Sequence, residues 1–459
     1  MAILGLVSTE STSAQRWTNI RRRVFYEYPN GAAPLIGILS LMKEEETNDP
    51  KFSWWEKRLK EQKTATASTG SSKGPFYINS GGSWTVPDPV TFTAPAETGE
   101  TATEYRVKVE DTTLFRVGHV FKIEVAAAGS TQTLRGVVTN VVSSTVLQFY
   151  VLETVASVDN GATNENVGLE VLVIGNAFPE GVVDLSSEVY YLPVNPENYA
   201  QIFRTPFSFT GPELVTPVKF DDTGIYKDKA KQHSIDHMVE VELAFLFGTK
   251  KKYVPTGAAD PTTGTGLPLY TTGGILWFLK QWEAGSLYEN TAATSDSDDN
   301  KRIITNASGT INLRSYNTYL ERIFRYSNNA SNEKLAFCGS GALQTLNEMY
   351  MGTSSLVYYP PNGDTFGMEI VAHKTPFGTV YYKSHPLFSR NSTLRFSILF
   401  VDVHNLRYRP YSKRDTQLLK NRQPNDADYR KDEWFTHAGL ELRMPESFMY
   451  LQNVRSYVP

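Results

Sequence analysis

The sequence predicts an α+β fold that carries a β-rich insert, on three observations. Residues 226–247 show the three- and four-residue spacing of polar and apolar positions that indicates a helix. Residues 88–179 consist of short runs in which apolar and polar residues alternate, as they do in strands. Helical patterns, and then further strands, follow that stretch. We therefore interpret the β-rich stretch as an insertion into a mixed α+β chain.

The composition is that of an ordinary globular protein. The 459 residues are 40% hydrophobic and 20% charged, and the net charge is −4. A dedicated nucleic-acid-binding protein normally carries a basic excess, so this charge argues against one, although it leaves room for a locally basic face. The 12% aromatic content favours β structure or extensive interfaces. No apolar run approaches the length that a membrane-spanning helix needs.

The N-terminal residues 1–63 are predicted to form an arm rather than a domain. They contain an apolar run at 34–42, and Asp49-Pro50 predicts the start of a short helix that carries Trp54 and Trp55. Large aromatic rings in a segment too short to build a core need a partner surface, on the same chain or on a neighbouring copy. A basic stretch upstream is predicted to face solvent or a partner. The candidate assembly contacts are Phe52, Trp54, Trp55, Arg21, Arg22 and Arg23.

Residues 88–179 are predicted to form a small β-barrel or β-sandwich. The clearest alternating runs are residues 105–109, 120–125 and 146–151, and glycines between the runs mark turns. Residues 64–82, which precede them, are rich in Ser, Thr and Gly. That composition predicts a loop.

The helix predicted at residues 226–247 is the best-defined element of the sequence. Gly248 is expected to end it. Its polar face is predicted to carry Lys229, Gln232, Asp236 and Glu240, and its apolar face Ile235, Met238, Val239, Leu243 and Leu246. The other predicted helices are residues 274–282, 312–326 and 341–349, and the other predicted strands are residues 334–337, 368–373, 380–383, 395–401 and 441–444.

No local motif indicates catalysis, a cofactor or a metal. His233 and His237 share one helix face, but Ser234 stands where a zinc protease needs Glu, so a structural role is favoured. The acidic loop that starts at Asp296 imitates a calcium loop, but Lys301 replaces its required glycine. We predict no catalytic residue and no cofactor or metal site. An enzyme whose site is assembled from distant residues stays open as an alternative.

The order of segments along the chain resembles that of the major capsid proteins of tailed bacteriophages, which have the Hong Kong 97-like fold. Within that group the chain is similar to the branch whose arm carries a Trp-Trp helix. The matching stretches run in one consistent order over nearly the whole length: Pro34 to Leu41, Asp49 to Glu56, Gly175 to Gly181, Asn198 to Phe203, the helix that ends at Gly248, Ser384 to Leu387, Phe400 to Asp402, Arg414-Asp415, Asp428 to Glu433 and Gly439 to Glu441.

The resemblance implies an assignment of parts. The N-terminal arm would be residues 1–63, and an extended loop region would be residues 64–198, with the β-insert at 88–179 inside it. The remaining parts would be a peripheral domain at 199–256 with a spine helix at 226–247, an axial domain at 257–395, and a return to the peripheral domain at 396–459.

The resemblance also implies a function. The chain would be a non-catalytic subunit that self-assembles, as pentamers and hexamers, into the icosahedral head shell around a double-stranded DNA genome. It would reside in the virion and, during assembly, in the host cytoplasm, without contact to a membrane. Further implied partners are portal, scaffold and decoration proteins, and packaged DNA that is contacted non-specifically on the inner face.

A different class of function stays open as the main alternative. The insert could be the working part of a carbohydrate-binding or adhesive β-module protein of a virion or cell surface, in which exposed aromatic rings stack on sugars. Residues 88–179 contain no Trp, and their Tyr and Phe residues have the pattern of a core. The sequence therefore favours the capsid hypothesis.

Overall fold

A computed structural model of the protein describes residues 34–39, 44–57, 62–70, 73–95, 103–127, 129–161, 166–180, 190, 192–215, 225–254, 267–285, 301–325, 332–352 and 371–458. These residues fall into two compact units. The main unit takes the described residues within 1–54, 196–287 and 302–459, and the barrel unit takes those within 55–195 and 288–301. Each unit has its own hydrophobic core.

The described residues form a mixed α+β structure in which strands predominate, as predicted. The helices are α1 (Pro34–Leu39), α2 (Gly211–Val215), α3 (Ile225–Phe247), α4 (Ile275–Glu283), α5 (Leu313–Arg325), α6 (Ser340–Gly352) and α7 (Pro386–Arg390). The strands are β1 (Lys51–Ser53), β2 (Lys63–Ala65), β3 (Phe76–Ser80), β4 (Ser83–Thr85), β5 (Val90–Phe92), β6 (Tyr105–Lys108), β7 (His119–Ala127), β8 (Ser130–Ser143), β9 (Val146–Val151), β10 (Val155–Val158), β11 (Glu170–Asn176), β12 (Glu197–Tyr199), β13 (Gln201–Thr210), β14 (Lys251–Tyr253), β15 (Leu269–Thr271), β16 (Ile303–Thr305), β17 (Thr310–Ile311), β18 (Glu333–Cys338), β19 (Val371–Lys374), β20 (Thr379–Ser384), β21 (Ile398–Val401), β22 (Leu406–Pro410), β23 (Gln417–Leu419), β24 (Tyr429–Leu442), β25 (Met449–Gln452) and β26 (Ser456–Tyr457).

The barrel unit is built on a closed sheet. Strands β2, β11, β7, β8, β9 and β6 pair in that order, and a bridge between Thr66 and Val109 joins the two ends. Strands β3 and β4 extend from β6, and β10 pairs with both β5 and β7. Closure leaves the six barrel strands without a free edge, which removes the usual template for unwanted pairing.

Aromatic rings fill the barrel. Phe121 and Phe149 are fully buried and meet edge to face, with ring centroids 5.0 Å apart. Gly136 faces both rings, and a Cβ atom at this position would lie 2.8 Å from each. Glycine at this strand position therefore makes room for the aromatic core.

The chain enters and leaves the barrel unit through one short ribbon. Glu56 and Val194 lie opposite each other on antiparallel strands. The N–H of Glu56 donates to the carbonyl of Val194 at 2.9 Å, and the N–H of Val194 donates back at 2.8 Å. The entry and exit points of the unit are therefore side by side.

The main unit contains two larger sheets. In one, β24 pairs with β13 on one edge and with β22 and β23 on the other, and α3 packs against β13 and β24. In the other, β16, β25, β21, β18, β20 and β19 pair in that order. One face of this six-stranded sheet shares a core with α5 and α6, and its other face shares a core with α3 and α4.

Most predicted elements outside the N-terminal segment are confirmed. The strands predicted at 105–109, 120–125 and 146–151 are β6, β7 and β9, and the predicted spine helix is α3. Helices α4, α5 and α6 and strands β18 and β20 also lie where the sequence predicts them. Strand β21 covers only the end of the strand predicted at 395–401, because Leu394–Phe396 form a short 3-10 helix. Cys338 is buried, as its apolar surroundings indicate. Residues 353–370, which include the predicted start of strand 368–373, lie outside the described residues.

Three predictions about local structure are wrong. Residues 64–82 are not a loop throughout, because β2 and β3 find strand partners in β11 and β6. Trp54 does not lie on a helix, because the residues before it form β1 and pair with β12. The strand predicted at 441–444 is the end of the much longer β24, which stops at Leu442. In each case pairing with a distant strand decides the local conformation.

The buried face of α3 also differs from the predicted apolar face. Its buried residues are His237, Val241, Glu242, Phe245 and Leu246, whereas Leu243 is 38% exposed. The polar side chains of His237 and Glu242 are buried because they contact polar partners, Thr436 and His385 respectively. Among the described residues, no helix is both long enough and apolar enough to span a bilayer.

Candidate assembly site in the N-terminal segment

The described part of the N-terminal segment starts at α1, and a buried carboxylate binds the start of this helix. Glu242 on α3 accepts hydrogen bonds from the backbone N–H groups of Leu35 and Ile36, each at 2.9 Å. His385 places Nε2 3.0 Å from the same carboxylate. Glu242 and His385 are both fully buried. Because the free N–H groups at a helix start favour negative charge, Glu242 fastens the segment to the spine helix.

After residue 43 the segment runs in an extended path beside β22. The N–H of Glu45 donates to the carbonyl of Tyr408 at 3.3 Å, and that of Thr47 donates to the carbonyl of Pro410 at 2.9 Å. Strand β1 then pairs with β12 in antiparallel register. The backbone of the segment is thus tied to two strands of the main unit.

Phe52 and Trp54 anchor the segment in the core of the main unit. They are 6% and 5% exposed. The Trp54 ring lies 6.3 Å from the Phe52 ring and 5.9 Å from the Phe278 ring, measured between centroids. The Phe52 ring rests on Gly439, where a Cβ atom would lie only 2.5 Å from it. The chain's own core therefore covers these two rings.

Trp55 points the other way. Its side chain is 69% exposed, and it lies on the ribbon that leads into the barrel unit. Tyr190 and Leu192, on the returning side, are 70% and 78% exposed. The Lys57 ammonium sits 4.2 Å above the Tyr190 ring. Of the predicted contacts, Trp55 is the one that presents a large free aromatic surface, and Arg21, Arg22 and Arg23 lie outside the described residues.

A charged group joins the segment to the sheet beneath it. Arg409 lies between Glu45, at 3.0 Å, and the fully buried Glu441, to which it is also hydrogen-bonded. Arg443 pairs with Glu441 from the other side and approaches Glu45 to 3.8 Å. Two cations thus compensate the buried carboxylate.

The identity of the chain follows from its sequence as a whole. The family model described as SU10 major capsid protein matches residues 8–455. The chain belongs to this family. It is a phage capsid shell protein, which confirms the prediction of a structural subunit in a virion rather than an enzyme.

Solved capsid structures resemble this capsid protein at low sequence identity. The capsid asymmetric unit of Cyanophage A-1(L) is 11% identical, with 61% of this chain and 85% of that chain covered and a TM-score of 0.40. A structure from Microbacterium phage Oxtober96 is 10% identical, covers 99% of this chain and 100% of that chain, and also has a TM-score of 0.40. No curated protein sequence matches the chain. The family assignment rests on the sequence match.

The two histidines of the spine helix contact different neighbours in this capsid protein. His233 stacks on the Phe207 ring, with centroids 5.4 Å apart. His237 is buried, with Nδ1 2.9 Å from the Thr205 hydroxyl and Nε2 2.7 Å from the Thr436 hydroxyl. Burial lowers the pKa of His237 below its usual value. Both nitrogens of His237 are occupied by threonines, so this histidine links α3 to β13 and β24.

A histidine on β24 makes the stability of the capsid protein depend on pH. Burial, followed by the nearby Arg414 cation, lowers the pKa of His437 to about 4. Below about pH 6.5, the His437 imidazole is protonated in the unfolded chain, whereas in the folded chain it stays neutral down to about pH 4. We expect the free energy of unfolding to fall by up to about 3 kcal/mol across this window because of His437. Urea denaturation at a series of pH values measures the loss.

Two variants control the pH experiment. His437→Gln should weaken the dependence between pH 6.5 and 4, because glutamine does not titrate, while His237, whose pKa burial also lowers, still contributes. His404→Gln, which makes the same substitution at an exposed histidine in a short helical turn, is the control. Equal pH profiles for the wild type and His437→Gln would contradict the assignment.

The barrel contains a tryptophan that bears on the carbohydrate-binding alternative. The β-module was predicted to start at residue 88, but in the structure its sheet also includes β2, β3 and β4. Trp84 of β4 therefore belongs to the module. Its ring is not an open platform, however, since the Arg106 guanidinium lies 3.8 Å from its centroid. Arg106 in turn donates to Gln148 at 3.1 Å. The side chains around Trp84 are thus already engaged with one another.

Glu242 is not among the contacts predicted from the sequence. Its signal was present, because it is the one charged residue in the apolar last two turns of α3. A carboxylate at such a position indicates a buried partner. The partners could not be identified from the sequence, since Leu35 lies 207 positions away.

Proposed function

We propose that this capsid protein self-assembles into the icosahedral head shell that encloses the double-stranded DNA genome of a tailed phage, with a Hong Kong 97-like arrangement of parts. The observation that carries the proposal is the family match over residues 8–455, which leaves almost none of the chain for another role. The net charge of −4 supports it, because a shell must hold DNA without adhering to it tightly. Pentamers and hexamers would be the assembly units.

In this proposal each part of the chain has a place. Residues 1–63 are the arm, residues 64–198 the extended loop region with the β-module, and residues 199–256 the peripheral domain. Residues 257–395 form the axial domain, and residues 396–459 return to the peripheral domain. The anchored segment supports this assignment, since Glu242, Phe52 and Trp54 fix the base from which an arm extends.

Other proteins of the particle complete the proposal. Portal, scaffold and decoration proteins are the proposed further partners, and packaged DNA is contacted without sequence preference. The proposed location is the host cytoplasm during assembly and the virion afterwards. Negative-stain electron microscopy of the purified full-length chain tests the central claim. Closed shells or capsomers are expected, and a chain that stays monomeric under all assembly conditions would overturn it.

Trp55 is proposed as an assembly contact between copies. Truncating a central aromatic at an interface costs about 2 kcal/mol or more, which corresponds to about 30-fold in an equilibrium constant. We therefore expect Trp55→Ala to raise the protein concentration needed for shell formation by about 30-fold, as measured by sedimentation. Val142→Ala, which shortens a 40% exposed side chain on the barrel, is the matched control. Unchanged assembly of Trp55→Ala would remove Trp55 from the interface.

A further inference from the structure

A short two-stranded hairpin follows the spine helix and presents apolar and basic side chains together. Strands β14 and β15 pair in antiparallel register, with Tyr253 opposite Leu269. Tyr253 and Leu269 are 42% and 39% exposed, and the flanking Val254 and Leu267 are 47% and 67% exposed. Four large apolar side chains are thus gathered on one hairpin. A surface of this kind needs a partner.

The hairpin also carries two cations that no described residue compensates. Lys250 is mostly buried and pairs with Glu197 at 2.7 Å. Lys251 and Lys252 are exposed and lie 5.8 Å and 5.6 Å from the rings of Tyr253 and Tyr270. Within the part of the chain that the structure describes, neither of these two lysines forms an ion pair. The partner of the hairpin should therefore be acidic.

The main unit carries a matching acidic edge on its N-terminal segment. Glu44 and Glu46 are exposed, and no described residue forms an ion pair with either, whereas Glu45 between them is compensated by Arg409. Burial, then the neighbouring charges of Asp415 and Glu46, raise the pKa of Glu44. Like charges are therefore crowded at this edge, and cations from outside would relieve the repulsion.

We propose that the lysine hairpin of one copy, with Lys251 and Lys252, docks on the acidic edge of a neighbouring copy, formed by Glu44, Glu46 and Asp415. This inference rests on the proposed function, because a shell supplies the neighbouring copy. Charge complementarity favours this occupant, because the acidic edge presents uncompensated carboxylates to the two exposed lysines. The contact fixes the register between copies, and high salt weakens it.

A charge-swap series tests the proposal on the full-length chain. Lys251→Glu with Lys252→Glu places like charges across the contact, and the concentration needed for assembly should rise about tenfold. Glu44→Lys with Glu46→Lys should have the same effect. The variant that combines all four substitutions restores opposite charges and should assemble within about threefold of the wild type. Lys420→Glu, at an exposed lysine of the same unit, is the control for charge reversal alone.

The outcomes separate this contact from the proposed function. Circular dichroism and unfolding midpoints establish that each variant folds. If Lys251→Glu with Lys252→Glu assembles like the wild type, or if the fourfold variant is not restored, the proposal is overturned. It is also overturned if the lysine variant loses affinity for duplex DNA while its assembly is unchanged, because the hairpin is then a nucleic-acid contact. A wild type that never assembles overturns the proposed function itself.

Discussion

Replacing Glu242 with alanine is expected to lower the free energy of unfolding of the main unit by about 3–5 kcal/mol. The carboxylate accepts hydrogen bonds from the N–H groups of Leu35 and Ile36 and contacts His385 in a fully buried site. Alanine would remove the partner that these three polar groups share in the core. Urea denaturation measures the loss.

Two further variants sharpen the Glu242 experiment. Glu242→Gln keeps one acceptor oxygen but replaces the other with an NH2 group, which cannot accept from the N–H groups of Leu35 and Ile36. We therefore expect the free energy of unfolding to fall by about 1–3 kcal/mol. Glu240→Gln changes an exposed carboxyl on the same helix and should cost no more than about 0.5 kcal/mol. Hydrogen exchange at residues 34–39 should accelerate in Glu242→Ala. Unchanged exchange there would show that the carboxylate does not hold α1.

Trp54→Ala is expected to destabilise the main unit by about 3–5 kcal/mol, as measured by urea denaturation. The Trp54 ring is 5% exposed and packs between Phe52 and Phe278, so its removal leaves a cavity in the core. The neighbouring residue provides the control. Trp55 is 69% exposed, and Trp55→Ala should change the free energy of unfolding by no more than about 0.5 kcal/mol.

The pair of variants separates folding from assembly. Trp54→Ala should lower stability, and its effect on shell formation should follow from that loss. Trp55→Ala should keep its stability and need about 30-fold more protein for shell formation. Equal losses of stability in the two variants would contradict the opposite orientations of the two rings.

Periodicity in the sequence was sufficient for the elements that local patterns specify. Alternation located β6, β7 and β9, and the helical spacing located α3 almost to the residue. The error at residues 51–53 has a different origin. Asp49-Pro50 is a good helix start, but β12 offers backbone hydrogen bonds and Gly439 offers a site for Phe52. Contacts with distant residues outweighed the local preference.

The candidate assembly site was predicted in part. The aromatic pair was located from the sequence, but sequence gives no means to tell which ring is covered by the chain itself. That distinction depends on Phe278 and Gly439, which lie far from Trp54 in sequence. The role of Glu242 depends on its contacts with the start of α1 and with His385 beside α7. These elements are distant in sequence and come together only in the folded chain. The capsid function was predicted from the resemblance of the whole chain to a family, because no single motif indicates it.

The paired ribbon at Glu56 and Val194 makes the barrel unit exchangeable. Because the two crossings of the chain are adjacent, a tight turn or a foreign domain with neighbouring termini can be spliced in at this point without stretching the backbone. The rest of the subunit would then keep its backbone connections.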